Sequence, residues 1–284
     1  MHNNKAVIIV RYENDAEIFI KNMFELSKHL KVYIYDNSKE NISMEHDNIY
    51  YYHDGSNGGL AKAINHSIDV AIADNKEYAV YFDQDSTINI LMIKNLFNSY
   101  DKLKQKYSEL FVIGPQPVMV DNSNYPVRAL KEIDDNYFTA SEIITSGMTF
   151  KLSDIKDIGY FSLELFLDMV DFEICWRARD KGMKIVIDKK IKMVHEVGTN
   201  TIKIPFKILP ISSPIRNYYQ MRNVLYCAMY QTKKSKLTVA YYMLRRFVNV
   251  FINILFVDNR LLRLKYNYQG FIDAFKKNMG KYNR

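Results

Sequence analysis

Four short segments of this 284-residue chain carry residue types that could do chemistry. The first is Asp83-Gln84-Asp85-Ser86, directly after the apolar run 78–82. Two carboxylates one residue apart at a strand end can project to one side. Hard divalent cations such as Mg²⁺ or Mn²⁺ take oxygen ligands of this kind, usually together with substrate phosphates. Without a cation the two acids would repel each other in a desolvated cleft. The competing structural role is a cap, with Asp85 or Ser86 closing a helix that starts near Ile88. The second segment is residues 57–65, Asn57-Gly58-Gly59-Leu60-Ala61 through Asn65. Glycines before a helix allow close backbone approach, and the helix N-terminus favours an anion such as a diphosphate. A plain strand-to-helix turn would use the same glycines, but Asn65, expected to point back toward a cleft, is harder to explain by packing. The third segment, residues 161–184, places Asp168, Asp171 and Glu173 before or at the opening of a helix. The helix dipole favours acids there, and it would also keep a general base ionised and ready to take a proton. Asp168 and Asp171 are three apart, so one helical face could carry both. The fourth is His195, after a short apolar run, structural by default but able to complete a metal shell or contact a phosphate.

These segments need elements to position them. Apolar, β-branched runs at 6–10, 32–35, 49–52, 78–82 and 111–114 read as strands, the last closed by Pro115. Amphipathic spacing at 16–30, 60–73 and 88–107 reads as helices, and Ile143-Ile144 reads as strand-like. Strands alternating with helices imply a mostly parallel α/β sheet with helices on both faces. In such sheets ligands bind outside the carboxyl ends of the strands, where the polar segments fall.

Composition bounds the rest. The chain is 48% hydrophobic and 25% charged, which is ordinary globular usage and excludes disorder or low complexity. Its two cysteines, Cys175 and Cys227, have neither disulfide-framework nor zinc-ribbon spacing. No secretory leader precedes the first strand, which sets the expectation of a reducing, cytosolic setting. Net charge is +7 but unevenly placed. From residue 201 onward 16 Lys and Arg stand against two acids, while the first 200 residues carry 23 against 30. An acidic body with a basic, aromatic-rich tail is a partner signal, for nucleic acid or the anionic face of a membrane. The longest apolar stretch, residues 247–257, is interrupted by Asn249 and Asn253 and is about half of the roughly 20 residues that spanning requires. The expectation is therefore no bilayer-spanning segment, and a helix lying in the membrane interface.

Taken together, the four segments resemble the bacterial rhamnosyltransferase group of glycosyltransferase family 2, over about residues 5–230. Residues 81–86 (YFDQDS) resemble its metal motif, residues 57–65 its Asn-x-Gly-Ile-Ala-x-Ala-Leu-Asn pattern, and residues 165–185 its Phe-Ile-Asp-x-Val-Asp-x-Glu-x-Cys-x-Arg-Ala pattern. Residues 216–223 (RNYYQMRN) resemble the motif that follows its catalytic domain. The resemblance implies a glycosyltransferase-A-type, Rossmann-like fold with a helical, basic C-terminal appendix, divided as 1–210 and 211–284. It implies an inverting, metal-dependent transfer, dTDP-rhamnose favoured as donor, to a saccharide or lipid-linked saccharide in surface polysaccharide synthesis. Asp171 would be the catalytic base, with Asp168 second choice. Asp36 and Asn37 would contact the nucleoside; Asn57, Gly59, Ala61 and Asn65 would line the diphosphate and donor sugar. Asp83 and Asp85 would handle ribose and a Mg²⁺ or Mn²⁺ ion with Gln84 beside the substrate, His195 would help hold metal or diphosphate, and Ser146-Gly147 would sit near the donor sugar. The tail, including Arg245, Arg246, Arg260 and Arg263, would dock the enzyme on the cytoplasmic leaflet.

The departures from the family pattern also inform. Arg11-Tyr12-Glu13 stands where the family continues Thr-Tyr-Asn, which makes Arg11 a candidate phosphate contact. Val170 replaces the Glu of the wider family's Glu-Asp pair, and the Gln-x-x-Arg-Trp motif of processive synthases is absent. Rival readings are the same fold with UDP-galactofuranose or UDP-glucose, a nucleotidyltransferase, and a non-enzymatic nucleic-acid binder. The nucleotidyltransferase would need a Gly-rich basic loop after the first strand. The nucleic-acid binder leaves the acidic body unexplained, so no nucleic-acid partner is expected. Oligomeric state is not legible.

Overall fold

The structure is a computed structural model that describes residues 3–119, 123–125, 127–194, 200–204, 207–231 and 236–283. Its first half is a run of strand–helix units: β1 (Lys5–Arg11), α1 (Ala16–Ser27), β2 (Lys31–Asp36), β3 (Ile49–His53), α2 (Leu60–Ala73), β4 (Tyr78–Asp83) and α3 (Ile90–Lys106). Every residue of β1 is buried, as a central strand covered on both faces requires. Asp15 caps α1 by accepting from Ile18 N, and Asn89 caps α3 by accepting from Met92 N. Asn89 thus fills the capping role considered for Asp85 and Ser86, and both are released from it.

The chain continues through β5 (Leu110–Val118), β6 (Ala129–Glu132), β7 (Tyr137–Ala140), β8 (Met148–Lys151), α4 (Leu152–Ile158), α5 (Val170–Asp180) and β9 (Lys184–Val194). One nine-stranded sheet results, in the order β3-β2-β1-β4-β8-β5-β9-β7-β6. The strands from β3 to β4 run parallel, as the alternating pattern predicts. β8 then inserts antiparallel between β4 and β5, and β6 and β7 close the far edge antiparallel. Two strand expectations are corrected. Ile143-Ile144 is not a strand; the strand follows Gly147, whose φ of +80° turns the chain and whose N–H donates to Tyr81 O at 2.7 Å. β5 does not stop at Pro115. It runs on to Val118 through a register break at Pro115/Gln116, past the point where its pairing with β8 ends at Ile113. Prolines fit a strand where an edge is unpaired or bulged.

After a hairpin of β10 (Asn200–Ile204) and β11 (Lys207–Ile211) come α6 (Pro214–Tyr226), α7 (Lys236–Phe256) and α8 (Arg260–Lys276). α6 and α8 touch backbone to backbone: a Cβ on Gly270 would stand 2.5 Å from Tyr218 O. α7 corrects the sequence expectation about length. At 21 residues it is, among the described residues, the one helix long and apolar enough to cross a membrane by length and composition, and only 11% of its most apolar window is buried. The apolar run is longer than residues 247–257 because Leu237, Val239 and Leu244 extend it upstream of the arginines.

Candidate active site

A cleft of about 720 Å³ opens at the carboxyl end of β4, between the sheet rim and the C-terminal helices. It contains five of the residues expected in it: Asp83, Gln84, Asp85, Asp168 and Asp171. Asp83 ends β4. Tyr81 O–H donates to its Oδ1 at 2.9 Å. Burial pushes its carboxyl up to about 6, a rise that Asp85's charge adds to and that Tyr81 and Arg216 oppose. Asp85, two residues on, is exposed and accepts no hydrogen bond among the described residues. The turn is fastened by Ser146, whose Oγ accepts from Asp83 N at 3.3 Å and lies 2.5 Å from Ser86 Oγ. Gln84 exchanges two hydrogen bonds with the Tyr12 backbone and ties this turn to the one after β1.

Asp171 enters from the first turn of α5. Its Oδ2 accepts from Thr145 N and Oγ1, both at 3.1 Å, and its Oδ1 from Phe172 N at 2.9 Å. Burial nevertheless pushes the carboxyl up to about 7, against the hold of Phe172 and Thr145, and Asp83's charge raises it further. A carboxylate poised near neutrality is matched to proton transfer at physiological pH. Asp168 is different. It is not on the helical face with Asp171, because it precedes α5 in the left-handed region (φ 58°), flanked by Phe166 and Met169 at 61° and 66°. Its carboxylate is taken by Arg216, which reaches it with Nε at 3.1 Å and with Nη2. Asp168's charge in turn raises Arg216's pKa.

Such a backbone costs about 1–3 kcal/mol per residue and persists only where the surroundings hold it. Those surroundings are the residues expected to touch the donor. Gly59 N-caps α2 at φ +88°, and a Cβ there would lie 2.5 Å from Phe166 Cδ2 and 2.7 Å from Phe166 O. Leu60 N donates to the same Phe166 O at 2.7 Å, so the glycines admit a protein carbonyl. Asn37 clasps this turn, its Oδ1 accepting from Gly58 N and its Nδ2 donating to Gly59 O, and Asn57 Oδ1 accepts from Gly59 N. Asn65 is engaged by the Phe161 backbone, donating at 2.8 Å and accepting at 3.0 Å. Ala61 is core. From the other side Asn223 Nδ2 donates to the carbonyls of Leu165, Leu167 and Asp168, and Arg222 to those of Glu164 and Leu165.

None of Arg11, Asp36, Asn37, Asn57, Gly59, Ala61, Asn65, Ser146 or Gly147 lines the cleft. Arg11 is corrected as a phosphate contact: its guanidinium is buried and committed to Asp36 at 2.7 Å, Ser38 and Asn14. Asp36 is wholly buried beneath it and also accepts from Tyr51 O–H. Gly147 packs on Pro115, with room for no side chain. His195 lies outside the described residues. Among the described residues no three His, Cys, Asp or Glu stand close enough to form a metal shell. Sequence reasoning missed Thr145 and the cleft-lining role of Arg216, Arg246 and Arg263. Arg216 had a signal, since it opens the 216–223 segment. The buried tail arginines had none.

No family model matches the chain. It is 31% identical over 244 residues to the dTDP-rhamnosyl transferase RfbF of Shigella flexneri, covering 78% of this chain and 79% of that protein. It is 23% identical over 210 residues to the low-salt glycan biosynthesis hexosyltransferase Agl10 of Haloferax volcanii, covering 69% and 68%. Among solved structures it is similar in fold to S. aureus TarS, with a TM-score of 0.58 at 17% identity over 96% of this chain. It is also similar to GalNAc-T7 solved with UDP, GalNAc and Mn²⁺, with a TM-score of 0.55 at 10% identity over 88% of this chain. The chain spans about half the length of these solved chains, 49% and 56%.

Proposed function

The chain belongs to the rhamnosyltransferase-like group of glycosyltransferase family 2, and from that premise we propose that its cleft moves rhamnose from a nucleoside diphosphate onto a saccharide hydroxyl, with inversion. The carrying observation is a carboxyl poised near 7, Asp171, in one cleft with the Asp83–Asp85 pair. dTDP-rhamnose is the donor of choice because the relative with 31% identity bears that name.

Asp171 accepts the proton of the acceptor hydroxyl. Thr145 fixes its Oδ2, so the attacking alcohol approaches along the carboxylate's remaining lone pairs. Asp168 is a positioning residue: bound to Arg216, it fixes the loop that delivers Asp171 and places the guanidinium at the cleft wall. One base and one stabilised leaving group suffice for a single displacement, so inversion needs no covalent intermediate.

The residues present fit a Mg²⁺ or Mn²⁺ ion. Asp83 and Asp85 offer hard oxygen donors, and the raised Asp83 carboxyl marks negative charge that the protein alone leaves poorly compensated. Such an ion, when bound, neutralises charge on the departing diphosphate. Residues 1–210 supply donor binding and catalysis in this reading, and 211–284 supply the brace and the acceptor wall. α7 presents Leu244, Val248, Phe251 and Leu255 to solvent, with Arg245 and Arg260 also exposed. That pattern supports peripheral docking on the anionic cytoplasmic leaflet, where a lipid-linked acceptor would be met.

The test is a panel of nucleotide sugars with and without Mn²⁺, scored by thermal shift and product formation. dTDP-rhamnose should give the largest cation-dependent shift and be consumed on adding acceptor. Consumption of UDP-glucose or UDP-galactofuranose instead would reassign the donor and keep the transfer. No shift with any nucleotide would overturn the reading.

A further inference from the structure

The cleft separates its charges. Its acids come from β4 and the approach to α5, and its cations, Arg216, Arg245, Arg246 and Arg263, come from α6, α7 and α8. Two of those cations are not surface groups. Arg246 is 6% exposed and Arg263 is 5% exposed, so neither can dock on a membrane as the tail's composition suggested. Arg246 uses Nη1 and Nη2 on amide and carbonyl oxygens of Asn217, Gln220 and Asn267. Its buried Nε has no acceptor among the described residues. Arg263 donates to the carbonyls of Asp258 and Ser212. Neither forms an ion pair with a carboxylate among the described residues; Asp168, the acid nearest in effect to Arg246, is already held by Arg216, and Arg263 feels only the charge of the exposed Asp258, whose backbone carbonyl it binds. Arg222, buried nearby, differs in not lining this cleft and in capping carbonyls of the braced loop.

A buried cation without a paired counter-charge is unfavourable, and two together also repel. Burial pushes Arg246 down to about 10; Asp168's charge opposes this and Arg263's charge adds to it. Guanidinium groups in a cleft match the geometry of phosphoryl oxygens. α7 also has two opposed faces. Tyr242, Arg246, Asn249 and Asn253, spaced by four, three and four, line the cleft, while Leu244, Val248, Phe251 and Leu255, with the same spacing, face outward.

We propose that Arg246 and Arg263 form a second oxyanion site in the cleft, which holds a phosphoryl group carried by the acceptor. This rests on the transferase reading and adds to it: Asp83 and Asp85 serve the donor's diphosphate, and the arginines serve a phosphate or diphosphate on the acceptor, whose apolar portion leaves along the outer face of α7. The site orients the acceptor so that its hydroxyl reaches Asp171.

The two sources of a phosphoryl group can be told apart without turnover. A short alkyl diphosphate is titrated into the full chain in excess EDTA, by calorimetry, with and without saturating nucleoside diphosphate. Binding should persist without metal, survive the nucleotide, and weaken about 10- to 100-fold in Arg263→Gln, the usual worth of a hydrogen bond to a charged group. No binding, displacement by the nucleotide, or unchanged affinity in Arg263→Gln would overturn the site. Because Arg246 also bridges three helices, Arg246→Lys is the second variant: it keeps the charge, and weaker binding with an unchanged melting temperature supports a contact to the ligand. If Arg263→Gln does not fold, the wild-type competition alone decides. Since no step depends on transfer, failure here leaves the donor panel to judge the transferase reading separately.

Discussion

The proposed chemistry rests on two carboxyls that the protein keeps out of their ordinary range. Asp171 at about 7 and Asp83 at about 6 are both raised chiefly by burial. Turnover should therefore climb with pH up to about 7 as Asp171 loses its proton, then level. Divalent cation should move that limb to lower pH, because it offsets the Asp83 charge that raises Asp171. A rate flat from pH 5 to 8 under conditions where chemistry limits would remove Asp171 from the base role. Asp83→Asn and Asp85→Asn should each weaken cation binding, read as loss of the Mn²⁺-dependent nucleotide shift. The sequence made Asp83, Asp85 and Asp171 legible because each sits at a fixed offset from a strand end or helix start. It could not separate Asp168 from Asp171. That distinction lies in an ion pair to Arg216, 48 residues away. Arg11 and Asp36 misled for the same reason: 25 residues apart, they neutralise each other inside the sheet rim.

At the scale of elements, the informative object is the loop before α5. The segment 57–65 reads as a ligand cradle because glycine, asparagine and a helix start are the ingredients of one. Here the cradle holds Phe166, and the loop it secures carries Asp168 and leads to Asp171. Gly59→Ala should thus cost stability of about 1–3 kcal/mol from overpacking, plus strain at φ +88°. Turnover should fall further than nucleotide binding, since the base moves and the Asp83–Asp85 turn does not. An Ala variant with wild-type melting temperature and turnover would show that the Phe166 contact is dispensable. The order of strands and helices was readable to β5 because local periodicity controls each parallel unit. β8 was not: four residues, antiparallel, inserted between two consecutive strands that precede it by more than 25 residues, leave no local signature. Pro115 signalled an end where a bulge was the answer.

At the scale of the molecule, the acidic body and basic tail meet in one cleft. The tail's charge reads as a partner signal, but composition cannot say which arginines face inward. Raised carboxyls in the fold also set a pH trend for stability. Their contribution favours the fold fully below about 4 and is lost as pH rises through about 6 and 7. The metal-free melting temperature should accordingly fall between pH 5 and 8, and Mn²⁺ at 100 times its dissociation constant should restore about 2.7 kcal/mol. Equal melting at both pH values with no cation effect would contradict the buried-acid account. Phe251→Asp with Leu255→Asp should abolish binding to anionic vesicles and leave the melting temperature unchanged, both side chains being exposed; retained binding would place docking elsewhere. The most direct measurement of the central claim is sugar transfer from dTDP-rhamnose by wild type and Asp171→Asn, with donor affinity determined on the same samples. The account predicts a loss of at least ~100-fold in turnover, the ordinary worth of a general base, at nearly unchanged donor affinity. Full turnover by Asp171→Asn would contradict it.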